Sequence, residues 1–292
     1  MSEAVSLFGF GAMGDAIARR LLAKHYPLNV WNRTPEKLVS LAEAGAIVKS
    51  SAANAIKSAK TIVCVLPDVV AIQEVVFDVD WAHELHERVV INFGAANSSR
   101  SQALMDAFQA HQARYIEVAA IGSVDDVANG NLQLLVGSTE QEYQQVSGLL
   151  NDLSSRVAYI GAVGDAVATK LALQQMAATL VCAFSTSIGL VKEQGLDIDL
   201  FMDLLRVSPL YTPLFDQKLP RLLGRDYARS ALPARNLERD LKLFLEQAEE
   251  LGLNAHHVQG VKELIALVVA RGMQDMDYTA VYDVINPPKE EL

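Results

Sequence analysis

The chain has 292 residues, more than one ordinary domain, and its 51% apolar content supplies at least one large core. A formal charge of −10 with no Lys/Arg cluster argues against nucleic acid or an anionic membrane as partner, so positive charge for any anionic cofactor has to be concentrated locally. Cys64 and Cys182 lie far apart in apolar surroundings, and Met1-Ser2-Glu3 runs into strand-like sequence rather than a signal peptide, which makes a reducing cytoplasm the expectation.

Val5-Ser6-Leu7-Phe8 is an apolar run, and Ile17, Leu21 and Leu22 mark the following stretch as an amphipathic helix. Between them lies Gly9-Phe10-Gly11-Ala12-Met13-Gly14, a glycine-rich turn joining strand to helix. That context reads as a dinucleotide site. The first glycine permits the tight turn, the second lets backbone approach a pyrophosphate, the third allows close helix packing, and the helix N-terminus attracts phosphate charge. Pro27-Leu28-Asn29-Val30-Trp31 then reads as the second strand, whose end is where such folds place an acid on the adenosine ribose. Here the residues are Asn32-Arg33-Thr34. An acid would repel a 2′-phosphate, whereas neutral Asn32, the Thr34 hydroxyl and the Arg33 guanidinium can bind one, which points to NADP rather than NAD. Thr34 with Pro35 also suits a helix start, but capping leaves Arg33 unexplained.

Further strand-like runs recur at Ala46–Val48, Thr61–Leu66, Val89–Ile91, Tyr115–Val118, Leu132–Val136 and Val157–Ile160, mostly separated by helical stretches. The alternation predicts an α/β fold, a doubly wound parallel sheet of Rossmann type over residues 1–161 that binds NADP. Over residues 162–292 only helical periodicity is evident: a long first helix, then Asp197–Arg206, Leu237–Leu251, His256–Arg271 and Tyr278–Ile285. This second domain is expected to be all-helical and to carry substrate contacts and dimerisation. Leu171–Val191 is uncharged and long enough to cross a bilayer, but Gln174, Gln175, Thr179, Ser185, Thr186 and Ser187 interrupt it, with no second span or basic flank. No membrane partner is expected. A helix this apolar all round belongs at a domain junction or subunit interface, and a homodimer is the expectation.

Lys170 is the last charge before that helix, and Gln174, Ala177, Ala178 and Val181 continue its face. An ammonium bordering an apolar helix is partly desolvated, a setting that suits a lysine for proton transfer; the alternative is a lysine snorkelling to solvent. Asp240 falls at the edge of an apolar stripe of Leu237, Leu241, Phe244, Ala248 and Leu251, where a carboxylate is costly unless paired, while Arg239 points away from it. His83-Glu84-Leu85-His86-Glu87 has its histidines three apart, not in the H-E-x-x-H arrangement, and His256-His257 faces two directions, so no metal site is expected. No G-x-S-x-G elbow and no Cys/His pairing support nucleophilic catalysis.

Four stretches in order, Gly9–Gly14 with Trp31–Thr34, Leu66-Pro67-Asp68, Gly161–Leu171, and Arg239-Asp240-Leu241 with Leu243, resemble the β-hydroxyacid dehydrogenases, nearly end to end. That family includes 3-hydroxyisobutyrate dehydrogenase, tartronate semialdehyde reductase and the glyoxylate/succinic semialdehyde reductases. The resemblance implies a 6-phosphogluconate dehydrogenase-like C-terminal domain, a small carbonyl substrate and hydride from the nicotinamide. Lys170 matches the catalytic acid/base. Leu66, Pro67 and Arg239 join the Gly9–Gly14 and Asn32–Thr34 segments on the cofactor side, and Ile121, Gly122, Ser123, Gln174 and Asp240 fall to the substrate. The departures are specific. Gln174 replaces the family's Asn, Arg239 its Lys, and Asn92-Phe93-Gly94-Ala95 a more polar loop; Ile121 replaces a serine that would hold a substrate carboxylate, for which Ser123 and the Gly122 N–H are the possible substitutes. The expected function is NADPH-dependent reduction of a small semialdehyde or short keto acid. The alternatives are an imine reductase with an apolar pocket, or a non-catalytic NADP-binding scaffold.

Overall fold

Central parallel strands must be apolar on both faces because helices cover both, and the short strands of the first unit meet that requirement. Residues 3–77 and 81–288 are described by this computed structural model. In chain order the first elements are β1 (Val5–Phe8), α1 (Ala12–Ala23), β2 (Leu28–Trp31), α2 (Val39–Glu43), β3 (Ile47–Val48), α3 (Ala52–Lys57), β4 (Thr61–Cys64), α4 (Val69–Val76) and β5 (Val89–Asn92). They continue with α5 (Ser98–Ala110), β6 (Arg114–Ile121), α6 (Val124–Asn129), β7 (Gln133–Gly137), α7 (Glu140–Leu153) and β8 (Arg156–Gly161). Among the described residues these strands form one eight-stranded sheet, ordered β3-β2-β1-β4-β5-β6-β7-β8. β1 and β5 are buried at every residue.

The order reverses between β1 and β4, so the chain leaves their C-terminal ends in opposite directions and opens a crevice there. One expectation is corrected: the sheet is not wholly parallel. β6 and β7 pair antiparallel, with Glu117 opposite Gly137 and Ile121 opposite Gln133. The connection, residues 122–132, holds only the six-residue α6 and is too short for the crossover of about a dozen residues that a parallel neighbour needs. The same pairing extends β6 past the predicted Val118 to Ile121, because β7 offers those residues a ladder. β4, by contrast, stops at Cys64, since Leu66 precedes Pro67 and the chain turns away.

The chain divides into two compact units, Met1–Lys170 and Leu171–Leu292. The start of α8 (Asp165–Glu193) is built into the first unit, which runs to Lys170. Ala166 and Val167 pack with Ala119 and Leu135, and Ile121 covers them.

The second unit is helical, with the remainder of α8, then α9 (Ile198–Arg206), α10 (Pro213–Gly224), α11 (Ala234–Glu250), α12 (His256–Ala270) and α13 (Val281–Ile285). Helix α10 is absent from the expected set. Pro213 sits where a helix tolerates it, in the first turn, and burial of Phe215, Lys218 and Leu222 offsets the interior Pro220. Helix α8 is only partly covered: Ala178, Val181 and Cys182 join one cluster and Phe184 and Ile188 another, while Leu173, Met176 and Leu190 remain exposed. Two of its hydroxyls turn back on the helix, Thr186 donating to the Cys182 carbonyl at 3.1 Å and Ser187 to that of Ala183 at 3.0 Å.

Candidate functional site

The β1–α1 turn is shaped by three glycines that do different things. Gly9 has φ +93°, and a Cβ there would lie 2.3 Å from the Val65 carbonyl oxygen. A Cβ on Gly14 would lie 1.9 Å from the Gly9 oxygen. Both positions exclude any other residue. At Gly11 a Cβ would meet nothing within 4 Å, and Gly11 begins α1 with no side-chain cap on the helix. A helix start with open backbone and no side chain answering its first N–H groups fits a pyrophosphate. Gly11 and Ala12 are exposed, Met13 half-buried and Phe10 buried.

At the end of β2 the Asn32 amide donates to the Thr34 carbonyl at 2.9 Å. Thr34 occupies the cap position of a single 3₁₀ turn, Pro35–Leu38, yet its hydroxyl makes no capping bond. Capping therefore does not consume that hydroxyl. Arg33 donates from Nη1 to Glu74 Oε2 on α4 at 3.0 Å. The sequence reading missed Glu74 because it lies in a separate connection and carries no motif.

The loops after β4 and β5 are clamped together. Asp68 accepts from the Ala71 N–H at 2.9 Å to cap α4, and its backbone bridges to Ala95. Asn92 Oδ1 accepts the Gly94 N–H at 2.8 Å while its Nδ2 donates to the Tyr115 hydroxyl at 2.9 Å. A Cβ on Gly94 would stand 3.0 Å from the Leu66 oxygen, so Leu66-Pro67 and Asn92–Ala95 meet closely.

At the end of β6, Ile121 is half-buried against the start of α8, so its side chain is a packing contact within the first unit. Gly122 is exposed with φ +138°. Ser123 is already engaged: its N–H and its hydroxyl each donate to Asp126 Oδ2 at 2.7 Å in a capping box that starts α6. The Ser123 N–H, and then its hydroxyl, hold the Asp126 carboxyl below the usual carboxylate range. Both donors of Ser123 are thus spent within α6.

Lys170 is half-buried in the second turn of α8. Gln174, one turn further along the helix, is 8% exposed, and its Oε1 has no hydrogen-bond partner among the described residues. A buried orphan acceptor costs about 1–3 kcal/mol and marks a position kept for something other than packing. On α11, Arg239 donates from Nε and Nη2 to Asp240 Oδ1 at 3.1 and 3.0 Å, which supplies the pairing that the 2% exposed Asp240 needs. The first unit thus brings Gly9–Gly14, Asn32–Thr34, Leu66-Pro67, Ile121–Ser123 and Lys170 into one body, while Gln174, Arg239 and Asp240 belong to the second.

A family model described as the NAD binding domain of 6-phosphogluconate dehydrogenase matches residues 4–161, and one described as NAD-binding of NADP-dependent 3-hydroxyisobutyrate dehydrogenase matches residues 164–285. Glyoxylate/succinic semialdehyde reductase 1 of Arabidopsis thaliana is 27% identical over 98% of this chain and 99% of its own. The cytokine-like nuclear factor N-PAC of Drosophila pseudoobscura pseudoobscura is 24% identical over 94% of this chain, which spans only 45% of that protein. Among solved structures, 3-hydroxyisobutyrate dehydrogenase of Mycobacterium tuberculosis with L-serine superposes with a TM-score of 0.90 at 17% identity, covering 98% of this chain and 99% of that one. An imine reductase from Myxococcus stipitatus in complex with NADP+ gives 0.65 at 20% identity, covering 95% and 98%.

Proposed function

The chain belongs to the β-hydroxyacid dehydrogenase family, and on that premise we propose that this oxidoreductase is an NADPH-dependent reductase of small semialdehydes and short keto acids, with Lys170 as its general acid/base. The observation that carries the reading is that α8 starts inside the first unit, packed on β6, which ends at Ile121 just before Gly122. Lys170 therefore belongs to the same compact unit as the Gly9–Gly14 turn. The bound nicotinamide supplies hydride to the carbonyl carbon. Lys170 Nζ gives a proton to the carbonyl oxygen in reduction and takes it back in oxidation. Gln174, one turn beyond Lys170 on α8, carries an amide oxygen with no partner among the described residues. With Ser123 committed to Asp126, the Gly122 N–H at that exposed turn is a donor for a substrate carboxylate.

Preference for NADPH rests on Arg33 and the uncommitted Thr34 hydroxyl, with Asn32 adding no negative charge. The Arg33–Glu74 pair is exposed on both sides and weak enough for a 2′-phosphate to take the guanidinium. Exposed Leu173, Met176 and Leu190 on α8, with Leu200 and Leu204 on α9, favour a homodimer in which a second copy covers apolar surface left open here. The deciding experiment measures NADPH oxidation with succinic semialdehyde, glyoxylate, short keto acids, bulkier aldehydes and cyclic imines. Turnover of the short acids supports the proposal; turnover confined to cyclic imines, or none at all, overturns it.

A further inference from the structure

Helix α8 starts without a cap of its own. The first N–H groups of any helix lack intrahelical partners. One remedy is a capping box, in which a side chain at the cap accepts the third residue's N–H and a side chain at the third residue answers the cap's N–H. Helices α6 and α7 are built this way, by Ser123 with Asp126 and Thr139 with Glu142. In α8 the cap position is Gly164, with φ +104°, and the third residue is Val167. Neither has a polar side chain.

Both missing bonds come from a single carboxylate on another element. Glu117, in the middle of β6 and 1% exposed, accepts the Gly164 N–H on Oε2 at 3.1 Å and the Val167 N–H on Oε1 at 3.0 Å. Room for it is made across the sheet, where a Cβ on Gly137 would lie 2.8 Å from Glu117 Oε1. Helix α5 holds the same turn from its carbonyl side, the Ser98 hydroxyl donating to the Gly164 oxygen at 2.7 Å. Lys170 follows Val167 by three residues, about 4.5 Å along the axis. Glu117 lies in the middle of β6 and Gly122 directly follows its last residue, Ile121, so β6 grips the start of α8 at its middle and leads into the Gly122 turn at its end.

We propose that Glu117 is a positioning residue, which supplies α8 with a capping box from outside the helix and thereby sets the place of Lys170 relative to the turn at Gly122. The proposal rests on the reading of Lys170 as the proton donor. Glu117→Gln keeps the volume but leaves one acceptor and turns an amide N–H toward a backbone N–H.

Two measurements on the full-length protein test it. Amide hydrogen exchange is expected to accelerate at residues 164–170 in Glu117→Gln, with the sheet still protected. Steady-state kinetics on the substrate turned over best, with succinic semialdehyde and NADPH tried first, are expected to show kcat down about ten- to hundredfold and KM for NADPH within about twofold. In a Lys170→Met background the same change is expected to alter the residual rate by less than about twofold, because the group it positions is gone. Unchanged protection at 164–170 overturns the proposal, and so do kinetic losses that simply add. Near-wild-type turnover by Lys170→Met alone sinks the proton-donor reading and this proposal with it, while the exchange data still report whether Glu117 holds α8. If Glu117→Gln does not fold, Glu117→Asp, one methylene shorter, takes its place in both measurements.

Discussion

Cofactor preference can be tested through a residue that opposes it. The Glu74 carboxylate lies 3.0 Å from the Arg33 guanidinium, with the two side chains 54% and 67% exposed. A 2′-phosphate that recruits Arg33 must compete with that carboxylate and sit near it. A pair this exposed contributes up to about 1 kcal/mol. Repulsion between unit charges about 4 Å apart in water-like surroundings costs roughly another 1 kcal/mol. Glu74→Gln removes both, so NADPH should bind tighter by about 1–2 kcal/mol, roughly 5- to 30-fold in Kd. NADH has no 2′-phosphate, and its Kd should hardly move. Arg33→Asp should abolish the wild-type preference for NADPH, a charge-assisted interaction of about 2 kcal/mol. Fluorescence titrations with both cofactors measure this, and repeating them at about 1 M salt, where the screening length falls to about 3 Å, should shrink the Glu74 effect. Equal affinities for NADPH and NADH in the wild type would refute the NADP assignment. A Glu74→Gln protein that binds NADPH no tighter would refute the competition.

Lys170→Met should keep cofactor affinity while turnover falls roughly 10²- to 10⁴-fold, the usual share of general acid catalysis; stopped-flow binding and steady-state assays separate the two. Ser123→Ala should cost about 1 kcal/mol of stability through the lost α6 cap yet leave kcat/KM for glyoxylate within about twofold, since its hydroxyl serves Asp126. A large kinetic loss there would return the substrate carboxylate to Ser123. Sedimentation at micromolar concentration should show a species of twice the 31.7 kDa chain, and a monomer would refute the dimer. Burial holds the Glu117 carboxyl above its ordinary 4.5, against the pull of Ser101 and the Val167, Gly164 and Ala166 N–H groups. A raised carboxyl favours the fold fully below 4.5 and loses that contribution as pH climbs through its folded value. The stability of wild type relative to Glu117→Gln, from urea unfolding at successive pH values, should therefore decline as pH rises; an increase would refute the assignment.

What could be read in advance was whatever chemistry sits within one turn or one connection. The Gly9–Gly14 turn, the alternating elements to residue 161 and the lysine at the head of an apolar helix are local patterns, and each is present in the structure. The reversal of β7 was hidden because strand periodicity is the same for either direction, and only the short 122–132 connection records it. Glu74 and Glu117 escaped for a different reason: each acts on a residue far along the chain, Arg33 in one case and Gly164 in the other. Even so, the second partnership leaves a trace. A helix of 29 residues that opens on Gly-Asp-Ala-Val has a cap with no side chain and a third position with no acceptor, so its first N–H groups must be answered from elsewhere. Glu117 is a lone carboxylate in the otherwise apolar run Val118-Ala119-Ala120-Ile121 and Tyr115-Ile116, where charge is tolerated only when hydrogen-bonded. A helix start lacking acceptors and a strand bearing one surplus acceptor imply each other, and a sequence that shows both the deficit and the surplus can be searched for the pair before any coordinates exist.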